Sequence, residues 1–208
     1  MGEDLSRAVR EAYDEIAEEY DDHRTSDDTD VPVLEAFIER LGPDAHVLDA
    51  GCGAGVPVTT ALAEHATVTG LDFSRAQLSL AGNRLPGTAF VRGDMARLPF
   101  ERDTFDGLVA FYSVIHVPKE RHATLFEEFH RVCRSGAPVV LTVGHTDWVG
   151  RNDDWMGMGA EMRWDIPGIE RTKRLMRASG FTVEGTETVA DTVAEDADAA
   201  KPFVWAHA

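Results

Sequence analysis

Basic residues are scarce in this chain, and lysine is nearly absent. Only Lys119, Lys173 and Lys201 occur, and Lys and Arg together number 20 against 37 Asp and Glu, which gives a formal net charge of −17. Proteins that bind nucleic acid neutralise phosphate with clustered Lys and Arg, and the sequence contains no such cluster. We therefore expect no nucleic-acid partner.

The acidic residues are spread along the whole chain instead of being gathered in a tail. Self-repulsion at this net charge destabilises a compact fold in dilute buffer, and molar salt screens it because the Debye length falls to about 3 Å at 1 M. We expect a halophilic type of surface. An ordinary acidic cytosolic protein is the alternative.

Cysteine and long apolar runs are rare as well. The two cysteines, Cys52 and Cys133, form neither a disulfide framework nor the spacing of a zinc site, so we expect both to be small buried residues. No apolar stretch approaches the length that spans a bilayer, and the first residues are acidic, unlike a secretory signal. We expect a cytoplasmic protein without a membrane partner, and at 208 residues one domain with one core.

Glycines concentrate at one place, directly after a short apolar run. The segment from Val47 to Gly55 is Val-Leu-Asp-Ala-Gly-Cys-Gly-Ala-Gly, and a helical pattern begins at Val58. Glycine at Gly51 and Gly53 allows positive φ and lets a ligand lie against bare peptide. A loop of this kind between strand and helix is typical of a Rossmann-type nucleotide-cofactor site.

The spacing of these glycines discriminates between cofactors. A dinucleotide loop carries G-x-G-x-x-G, which requires its third glycine at the position of Val56. Here the third glycine, Gly55, falls one residue earlier. The resulting D-x-G-x-G-x-G pattern, which begins at Asp49, resembles motif I of class I S-adenosylmethionine-dependent methyltransferases. For the loop alone, a glycine-rich turn in another α/β protein is the alternative.

Acidic residues at the ends of the next two predicted strands extend this resemblance. Asp72 lies about 20 residues after the glycine loop, where Rossmann-type folds place a carboxylate on the ribose hydroxyls. The resemblance implies that Asp94 accepts a hydrogen bond from the adenine amino group. It also assigns the neighbouring apolar residues Phe73, Met95 and Phe111 to the cofactor. Taken alone, the Gly-Asp pair at Asp94 would indicate only a solvated turn.

An amphipathic helix is predicted before the cofactor strand. Apolar residues from Val9 to Tyr20 recur at helical spacing, and acidic residues occupy the opposite face. The Tyr-Asp-x-x-Ala-x-x-Tyr pattern from Tyr13 to Tyr20 resembles a helix that covers the cofactor pocket of small methyltransferases and supplies a tyrosine to the cofactor carboxylate. The alternative is that both tyrosines only pack the helix onto the domain. We predict a flexible connection and lid hinge over residues 21–30.

Tryptophan and methionine cluster in the region from 144 to 167. Three Trp and three Met occur there in a run with four glycines and no clear secondary structure. Long loops without clear structure are usually functional or disordered, and the tryptophans argue against disorder. We predict a lid over the acceptor substrate, with an adaptable apolar cavity formed by Trp148, Trp155, Met158 and Trp164. Alternatively, these residues cover a sheet edge or a dimer contact.

Two histidines lie just beyond parallel strands, at the edge where ligands bind in α/β sheets. His116 follows the fourth predicted strand and His145 follows the fifth. Either could act as a general base, which helps only when the acceptor loses a proton near neutral pH. We place His116 first and His145 second, and Tyr112 is a candidate for orienting the acceptor. A histidine that only bonds local backbone is the alternative for both.

Further segments resemble the same family around Phe105 to Phe111, Tyr112 to Pro118 and Arg131 to Ala137, so the resemblance covers nearly the whole chain. It is closest to the small single-domain methyltransferases of types 11 and 25. The implied fold is α/β: a Rossmann-like, doubly wound, seven-stranded, mostly parallel sheet with an antiparallel last strand and an N-terminal helical cap. We assign residues 1–42 to the cap, 43–143 to the cofactor-binding core, 144–167 to the substrate loop and 168–208 to a C-terminal helix and hairpin.

The activity implied by the resemblance is transfer of the sulfonium methyl group to a small-molecule acceptor, with S-adenosylhomocysteine as the product. Because the sulfonium is already activated, the protein mainly holds the acceptor about 3–3.5 Å from the methyl and excludes water. Methylation of adenine or glutamine amino groups would require Asn/Asp-Pro-Pro-Tyr where this chain has Ala110-Phe111-Tyr112-Ser113. Two alternatives stay open: a cofactor-binding partner or sensor without turnover, and an NAD-dependent oxidoreductase.

No metal is predicted. Asp147, Asp153 and Asp154 could bind a divalent cation, but adjacent loop carboxylates in so acidic a protein are usually solvated. We expect a monomer or a homodimer, since the tryptophan-rich region could pair two copies.

Overall fold

Alternating strands and helices from residue 46 onward build one large sheet. The computed structural model describes residues 2–24, 30–190 and 200–208. Its strands are β1 (His46–Ala50), β2 (Thr67–Asp72), β3 (Ala89–Arg92), β4 (Gly107–Ala110), β5 (Pro138–Thr142), β6 (Trp148–Asn152), β7 (Met162–Ile166), β8 (Thr182–Ala190) and β9 (Ala200–His207). Its α-helices are α1 (Gly2–Glu15), α2 (Ala17–Arg24), α3 (Val31–Ile38), α4 (Val58–Ala63), α5 (Arg75–Arg84), α6 (His122–Val132) and α7 (Ile169–Ala178). Short 3-10 turns are formed by Val114–His116, Lys119–Arg121 and Trp155–Gly157.

The large sheet has the strand order β3-β2-β1-β4-β5-β9-β8. Strands β1 to β5 pair in parallel, and β9 runs antiparallel to both β5 and β8. The prediction of a doubly wound, mostly parallel seven-stranded sheet is therefore confirmed, and the antiparallel strand is the last one in the chain. The order reverses between β1 and β4, and ligands bind beyond the carboxyl ends of the strands at such a switch point.

The central strands are buried on both faces of the sheet. Side chains along β1 and β4 alternate between two apolar layers. Leu48 and Leu108 pack on one face with α6, whereas Val47 and Val109 pack on the other face with α3 and α4. The continuous apolar run Gly107–Ala110 is typical of a parallel strand that helices cover on both sides.

The two cysteines are free thiols in the protein interior. Burial raises the pKa of Cys133 to about 12 and holds that of Cys52 well above its usual value, with the nearby Asp49 and Asp72 adding to the Cys52 effect. Both residues therefore remain neutral and act as small buried side chains, as the sequence predicts.

The region from 144 to 167 is an antiparallel hairpin, not the loop without clear structure that the sequence predicts. Strands β6 and β7 pair with each other and form a separate two-stranded sheet. Gly150 and Asn152 are poor strand formers, and β6 is mostly exposed, so no apolar alternation marks it in the sequence. The hairpin forms because β7 packs against α1, from which it is more than 140 residues distant in sequence.

Two helices, and not one, carry the N-terminal amphipathic pattern. The chain bends at Ile16, between α1 and α2. Hydrogen bonds from Ile16 N to Ala12 O (3.0 Å) and from Tyr20 N to Ile16 O (2.8 Å) join the two helices across the bend. Of the flexible connection predicted over residues 21–30, the first part, 21–24, is helical. Residues 25–29 lie outside the described part of the chain.

Candidate functional site

A cavity of about 950 Å³ lies where the strand order reverses, at the carboxyl ends of β1, β2 and β4. Its wall is built by α1 and α2, by the glycine loop after β1, and by the segments that follow β2, β3 and β4. This volume falls within the range of pockets that enclose a small ligand. The predicted site residues that line it are Tyr13, Tyr20, Asp49, Gly51, Gly53, Asp72, Phe73, Asp94, Met95, Phe111, Tyr112 and His116.

The glycine loop requires glycine at each of its three positions. Gly51, Gly53 and Gly55 have φ of 88°, 53° and 83°, a region that side chains rarely adopt. A Cβ atom on Gly51 would also lie 2.2 Å from the Cβ of Ser113. Gly55 is absent from the described cavity wall, because a Cβ there would face Ala81 of α5 at 3.6 Å. It serves the packing of loop against helix.

Asp72 joins the glycine loop to the start of α5. Its Oδ2 accepts a hydrogen bond from Gly53 N (3.0 Å), and its Oδ1 accepts one from Ser74 N (2.8 Å). Burial raises the pKa of Asp72 to about 6, although these backbone hydrogen bonds act in the opposite direction. The carboxylate is therefore fixed in orientation and ionises close to neutral pH.

Asp49 is a second buried carboxylate in the cavity wall. Thr59 Oγ1 donates a hydrogen bond to its Oδ2 at 2.6 Å. Burial raises the pKa of Asp49 to about 7, the hydroxyl of Thr59 lowers it, and the charge of Asp72 raises it further. A cationic ligand between these carboxylates would stabilise their ionised forms.

Asp94 sits at the rim of the cavity, with 48% of its side chain exposed. Its Oδ2 accepts a hydrogen bond from Arg121 Nη2 (2.6 Å), and its Oδ1 accepts one from Ala96 N (2.9 Å). Each carboxylate oxygen retains a further lone pair, so a ligand amino group can bind as an additional donor. Phe73 and Met95 add apolar surface to the same cavity.

His116 lies in the cavity wall, on the short helical turn after β4. Its Nδ1 is 2.9 Å from the carbonyl oxygen of Arg163, and because a carbonyl only accepts, we assign the ring proton to Nδ1. Burial lowers the pKa of His116 to about 4, so the ring is neutral near pH 7. Its Nε2 lies 3.0 Å from the hydroxyl of Tyr13 on α1.

His145 lies outside the cavity, unlike the sequence expectation. It is exposed, and its Nε2 is 2.9 Å from the carbonyl oxygen of Ala200 on β9. The chain pairs at Gly144 with Gly168, which directs it toward the hairpin and places His145 beside the antiparallel strand. The end of a parallel strand alone could not reveal this turn.

Tyr112 lines the cavity, but its hydroxyl is engaged elsewhere. Its φ is +53°, which a residue with a side chain rarely adopts. The hydroxyl donates a hydrogen bond to Asp30, and Lys201 Nζ lies 4.7 Å from the ring centroid. The hydroxyl is therefore directed toward the segment before α3, and this geometry gives no support to a role in orienting an acceptor.

Of the predicted substrate-loop side chains, Trp155, Met158 and Trp164 pack against the cap, whereas Trp148 is 49% exposed. Trp155 has its ring centroid 5.8 Å from Tyr13 and 5.1 Å from Tyr20, and Trp164 lies 6.2 Å from His116. They take this position because the hairpin stacks its β7 side on α1. Among the described residues, those that line the cavity do not include the four predicted for the acceptor cavity, Trp148, Trp155, Met158 and Trp164.

Two side chains at the site, Asp14 and Gln77, were not predicted from the sequence as site residues. Asp14 on α1 accepts hydrogen bonds at Oδ1 from Ser74 Oγ (2.6 Å) and from Ala76 N (3.1 Å), and so caps α5 from another helix. Gln77 lines the cavity with 1% of its surface exposed, and neither polar atom of its amide has a hydrogen-bond partner among the residues that the structure describes. Asp14 bonds to residues about 60 positions away, so no local pattern indicates it.

Two kinds of feature are missing from residues 2–24, 30–190 and 200–208. None of the helices there is long and apolar enough to span a bilayer. His, Cys, Asp and Glu do not gather there in groups of three or more that could hold a metal ion. The carboxylates considered from the sequence, Asp147, Asp153 and Asp154, are exposed.

Residues 47–136 match the family model described as a methyltransferase domain. This segment runs from β1 through α6 and contains the glycine loop, Asp72, Asp94 and His116. The chain is 31% identical over 173 residues to 24-methylenesterol C-methyltransferase 3 of Arabidopsis thaliana, which covers 78% of this chain and 46% of the relative. It spans less than half of the length of the first curated relatives that it matches.

Solved structures share the fold at low sequence identity. A 1,6-didemethyltoxoflavin-N1-methyltransferase of Burkholderia thailandensis, with bound 1,6-didemethyltoxoflavin and S-adenosylhomocysteine, has a TM-score of 0.76 at 20% identity, covering 100% of this chain and 90% of that one. The 4+2 cyclase SpnF has a TM-score of 0.73 at 18% identity, covering 97% and 96%. At this level of identity the likeness establishes the Rossmann-like fold alone.

Proposed function

We propose that this protein, whose residues 47–136 form an S-adenosylmethionine-dependent methyltransferase domain with that molecule as its cofactor, transfers the sulfonium methyl group to a small-molecule acceptor. The observation that carries the proposal is the position of the glycine loop and Asp72 in one wall of the cavity of about 950 Å³. This is the edge of the sheet where ligands bind in open α/β folds.

The wall of the cavity suits this cofactor in shape and charge. A Cβ at Gly51 would clash with Ser113, whereas at Gly53 it would meet only Gln77 Oε1 at 3.6 Å, so the backbone of Gly53 lies bare beside the cavity. The unpartnered amide of Gln77 offers a further polar group beside the loop. Asp72 supplies the acceptor for the ribose hydroxyls, and with Asp49 it supplies negative charge for a cationic ligand. The cofactor residues in this proposal are Tyr20, Asp49, Gly51, Gly53, Asp72, Phe73, Asp94, Met95 and Phe111.

When bound, the cofactor supplies a methyl group that its sulfonium has already activated. The chain contributes to the reaction mainly by holding the acceptor in position and by excluding water. Helices α1 and α2 form one part of the cavity wall and the strand ends form another, so an acceptor between them is held against the cofactor pocket. Fixing two reactants in this way removes most of the entropic part of the barrier.

The acceptor in this proposal is a small molecule. Tyr13, Tyr20 and Asp21 bring the cap into the cavity wall, so the space is bounded by the chain itself. Among the similar proteins, one is named for a sterol and another for 1,6-didemethyltoxoflavin, which are both small molecules. Lys and Arg number 20 against 37 Asp and Glu and form no cluster in the sequence, which disfavours a nucleic-acid acceptor.

A cofactor-binding protein without methyl transfer is the second candidate. It stays open because a shared fold does not fix the chemistry, and one structure of the same fold is named as a 4+2 cyclase. An NAD-dependent oxidoreductase has less support, because Val56 occupies the position of the third dinucleotide glycine.

Two measurements in buffer with molar KCl test the proposal. Calorimetric titration should give micromolar binding of S-adenosylhomocysteine and no heat with NAD. S-adenosylhomocysteine formation from S-adenosylmethionine should then appear with at least one member of a panel of hydroxyl, amine, thiol and carboxylate acceptors. Binding without product across the panel would favour the second candidate, and NAD binding would favour the oxidoreductase.

A further inference from the structure

A tyrosine from the cap and a histidine from the end of β4 meet inside the cavity wall. The Tyr13 hydroxyl lies 3.0 Å from His116 Nε2, and the two rings are edge to face with their centroids 5.4 Å apart. The rings of Trp155 and Trp164 pack beside the pair, at 5.8 Å from Tyr13 and 6.2 Å from His116. Both side chains are therefore held in one orientation.

In the hydrogen bond between the two side chains, Tyr13 is the donor and His116 is the acceptor. His116 Nδ1 must donate to the carbonyl oxygen of Arg163 at 2.9 Å, so Nε2 of the neutral ring is an acceptor. Burial lowers the pKa of His116 to about 4 and keeps the ring neutral. Tyr13 therefore donates its only hydroxyl proton to His116, and toward the cavity its oxygen can only accept.

The direction of this hydrogen bond limits the kinds of ligand group that Tyr13 can contact. The family resemblance implies that a tyrosine of this helix contacts the cofactor carboxylate, and a carboxylate needs a donor. Tyr13 has one proton, and His116 receives it. A group that donates to the Tyr13 oxygen fits the geometry, whereas a carboxylate does not. Tyr20, the other tyrosine of the pattern, remains with the cofactor.

We infer that Tyr13 is a catalytic residue that accepts a hydrogen bond from the nucleophile of the methyl acceptor, and that His116 acts through Tyr13 by taking up its hydroxyl proton. The acceptor class is accordingly a small molecule whose reacting atom carries a proton, an O–H or N–H group. This inference rests on the proposed function, and it names the chemistry of the acceptor in that same site.

Methyl transfer to the acceptor releases one proton, which moves along the hydrogen-bonded pair of Tyr13 and His116. The bond between methyl carbon and sulfur breaks with its electron pair on sulfur, and a new bond forms from the acceptor oxygen or nitrogen to the methyl carbon. The acceptor proton passes to the Tyr13 oxygen as the Tyr13 proton passes to His116 Nε2. The resulting imidazolium of a buried histidine is a strong acid, so it returns the proton to water when the product leaves.

Variants of both residues test the inference. Tyr13→Phe and His116→Phe remove the hydrogen bond while keeping a ring, and we expect kcat/KM for the acceptor to fall about 100-fold or more. His116→Gln keeps a hydrogen-bond acceptor for Tyr13 and a donor for Arg163 but cannot take up a proton, so its kcat/KM should stay about as low as that of His116→Phe. Recovery of His116→Gln to within about tenfold of wild type would overturn the proton transfer to His116. The Kd of S-adenosylhomocysteine should stay within about threefold in all three, and exposed His65 supplies the matched control His65→Phe.

The acceptor probes are a catechol, a hydroxybenzoate, a primary amine, a thiol, and an alkene that has no O–H or N–H group. Turnover of O–H or N–H probes, lost in Tyr13→Phe with the cofactor affinity kept, supports the inference. It is overturned by turnover of the thiol or alkene alone, by kcat/KM of Tyr13→Phe within threefold of wild type, or by a tenfold loss of cofactor affinity at unchanged kcat. Cofactor binding without any turnover overturns the proposed function first, and the inference with it.

Discussion

Two buried carboxylates, Asp49 and Asp72, line the cavity at the carboxyl ends of β1 and β2. Asp72 is held by Gly53 N and Ser74 N, and Asp49 by the Thr59 hydroxyl. Each carboxylate is fixed in orientation by groups from the loop or helix beside it. Because burial disfavours the charged form of both, a ligand that donates hydrogen bonds or carries positive charge recovers free energy on binding.

Asp72→Asn should weaken the binding of S-adenosylhomocysteine by about 100-fold, since hydrogen bonds to charged groups are worth about 1.5–3 kcal/mol each. Titration calorimetry measures the Kd. Asp44→Asn is the matched control, because Asp44 is exposed, lies at the other end of the sheet and has a φ of 56° that asparagine tolerates. A Kd within threefold of wild type in a folded Asp72→Asn protein would contradict the ribose assignment.

Cofactor affinity should depend on pH through these same groups. The pKa is about 6 for Asp72 and about 7 for Asp49, with burial as the largest cause of each shift. If the ionised forms bind the ligand, the Kd of S-adenosylhomocysteine is constant above about pH 8 and weakens by about tenfold per pH unit for each group as the pH falls below its pKa. Calorimetry from pH 5 to 9 checks this, and Asp72→Asn should remove the step near pH 6.

Stability of the ligand-free protein should move in the opposite direction. Both pKa values are raised on folding, so the folded state binds more protons than the unfolded state between about pH 4 and 7. The contribution of these two groups to the free energy of unfolding is therefore largest near pH 4 and is lost as the pH rises toward 7.

At the scale of elements, the cap is held to the domain by polar contacts as well as by packing. Val9 and Ala12 of α1, together with Ile16 at the bend, are buried in one cluster with Met162 of the hairpin. On the α5 side, Asp14 supplies the acceptor for the first turn of that helix. Helix α1 is thus clamped between α5 and β7, and it carries Tyr13 into the cavity wall.

Asp14→Ala should loosen α1 without unfolding the sheet. Loss of an acceptor at a helix start costs about 0.5–2 kcal/mol, so amide hydrogen exchange in α1 should become about tenfold faster while exchange in β1, β4 and β5 is unchanged. Exposed Glu15 on the same helix supplies the matched control Glu15→Ala. Equal acceleration in α1 and in the central strands would mean that Asp14 stabilises the whole domain instead of its cap.

The net charge belongs to the whole molecule. The excess of 37 acidic over 20 basic residues gives −17, and many arginines already have partners, as in the pairs Arg84–Asp21, Arg121–Asp94 and Arg134–Asp106. The unbalanced charge must therefore be carried by the remaining acidic side chains. Their repulsion favours an expanded chain, and salt weakens that repulsion.

Thermal melting in KCl should reveal this repulsion. If screening contributes about 2–3 kcal/mol, Tm should rise by roughly 5–10 °C between 0.1 and 2 M KCl. Most of the rise should come below about 1 M, where the Debye length is already near 3 Å. Sucrose at matched osmolarity is the control, because it acts by exclusion from the surface and not by screening. A Tm change below about 2 °C would indicate an ordinary acidic protein.

The features that could be predicted from the sequence alone arise from local stretches of chain. Backbone freedom at Gly51, Gly53 and Gly55, the continuous apolar runs of the parallel strands and the carboxylate at the end of β2 all depend on short stretches of chain. Together with the family resemblance, those features predicted the α/β sheet, its doubly wound order and twelve residues of the cavity wall. Helical spacing likewise predicted an N-terminal cap, although not the bend at Ile16.

Features that join segments far apart in the sequence depend on the tertiary structure. Tyr13 reaches His116 across 103 residues and Asp14 reaches Ser74 across 60, so neither pair leaves a periodic trace in the sequence. The hairpin of residues 144–167 exists because α1 packs on β7, and its own strand propensities are weak. His145 leaves the cavity because the chain turns after β5. Propensity acts within a few residues, whereas these contacts depend on how complete layers pack.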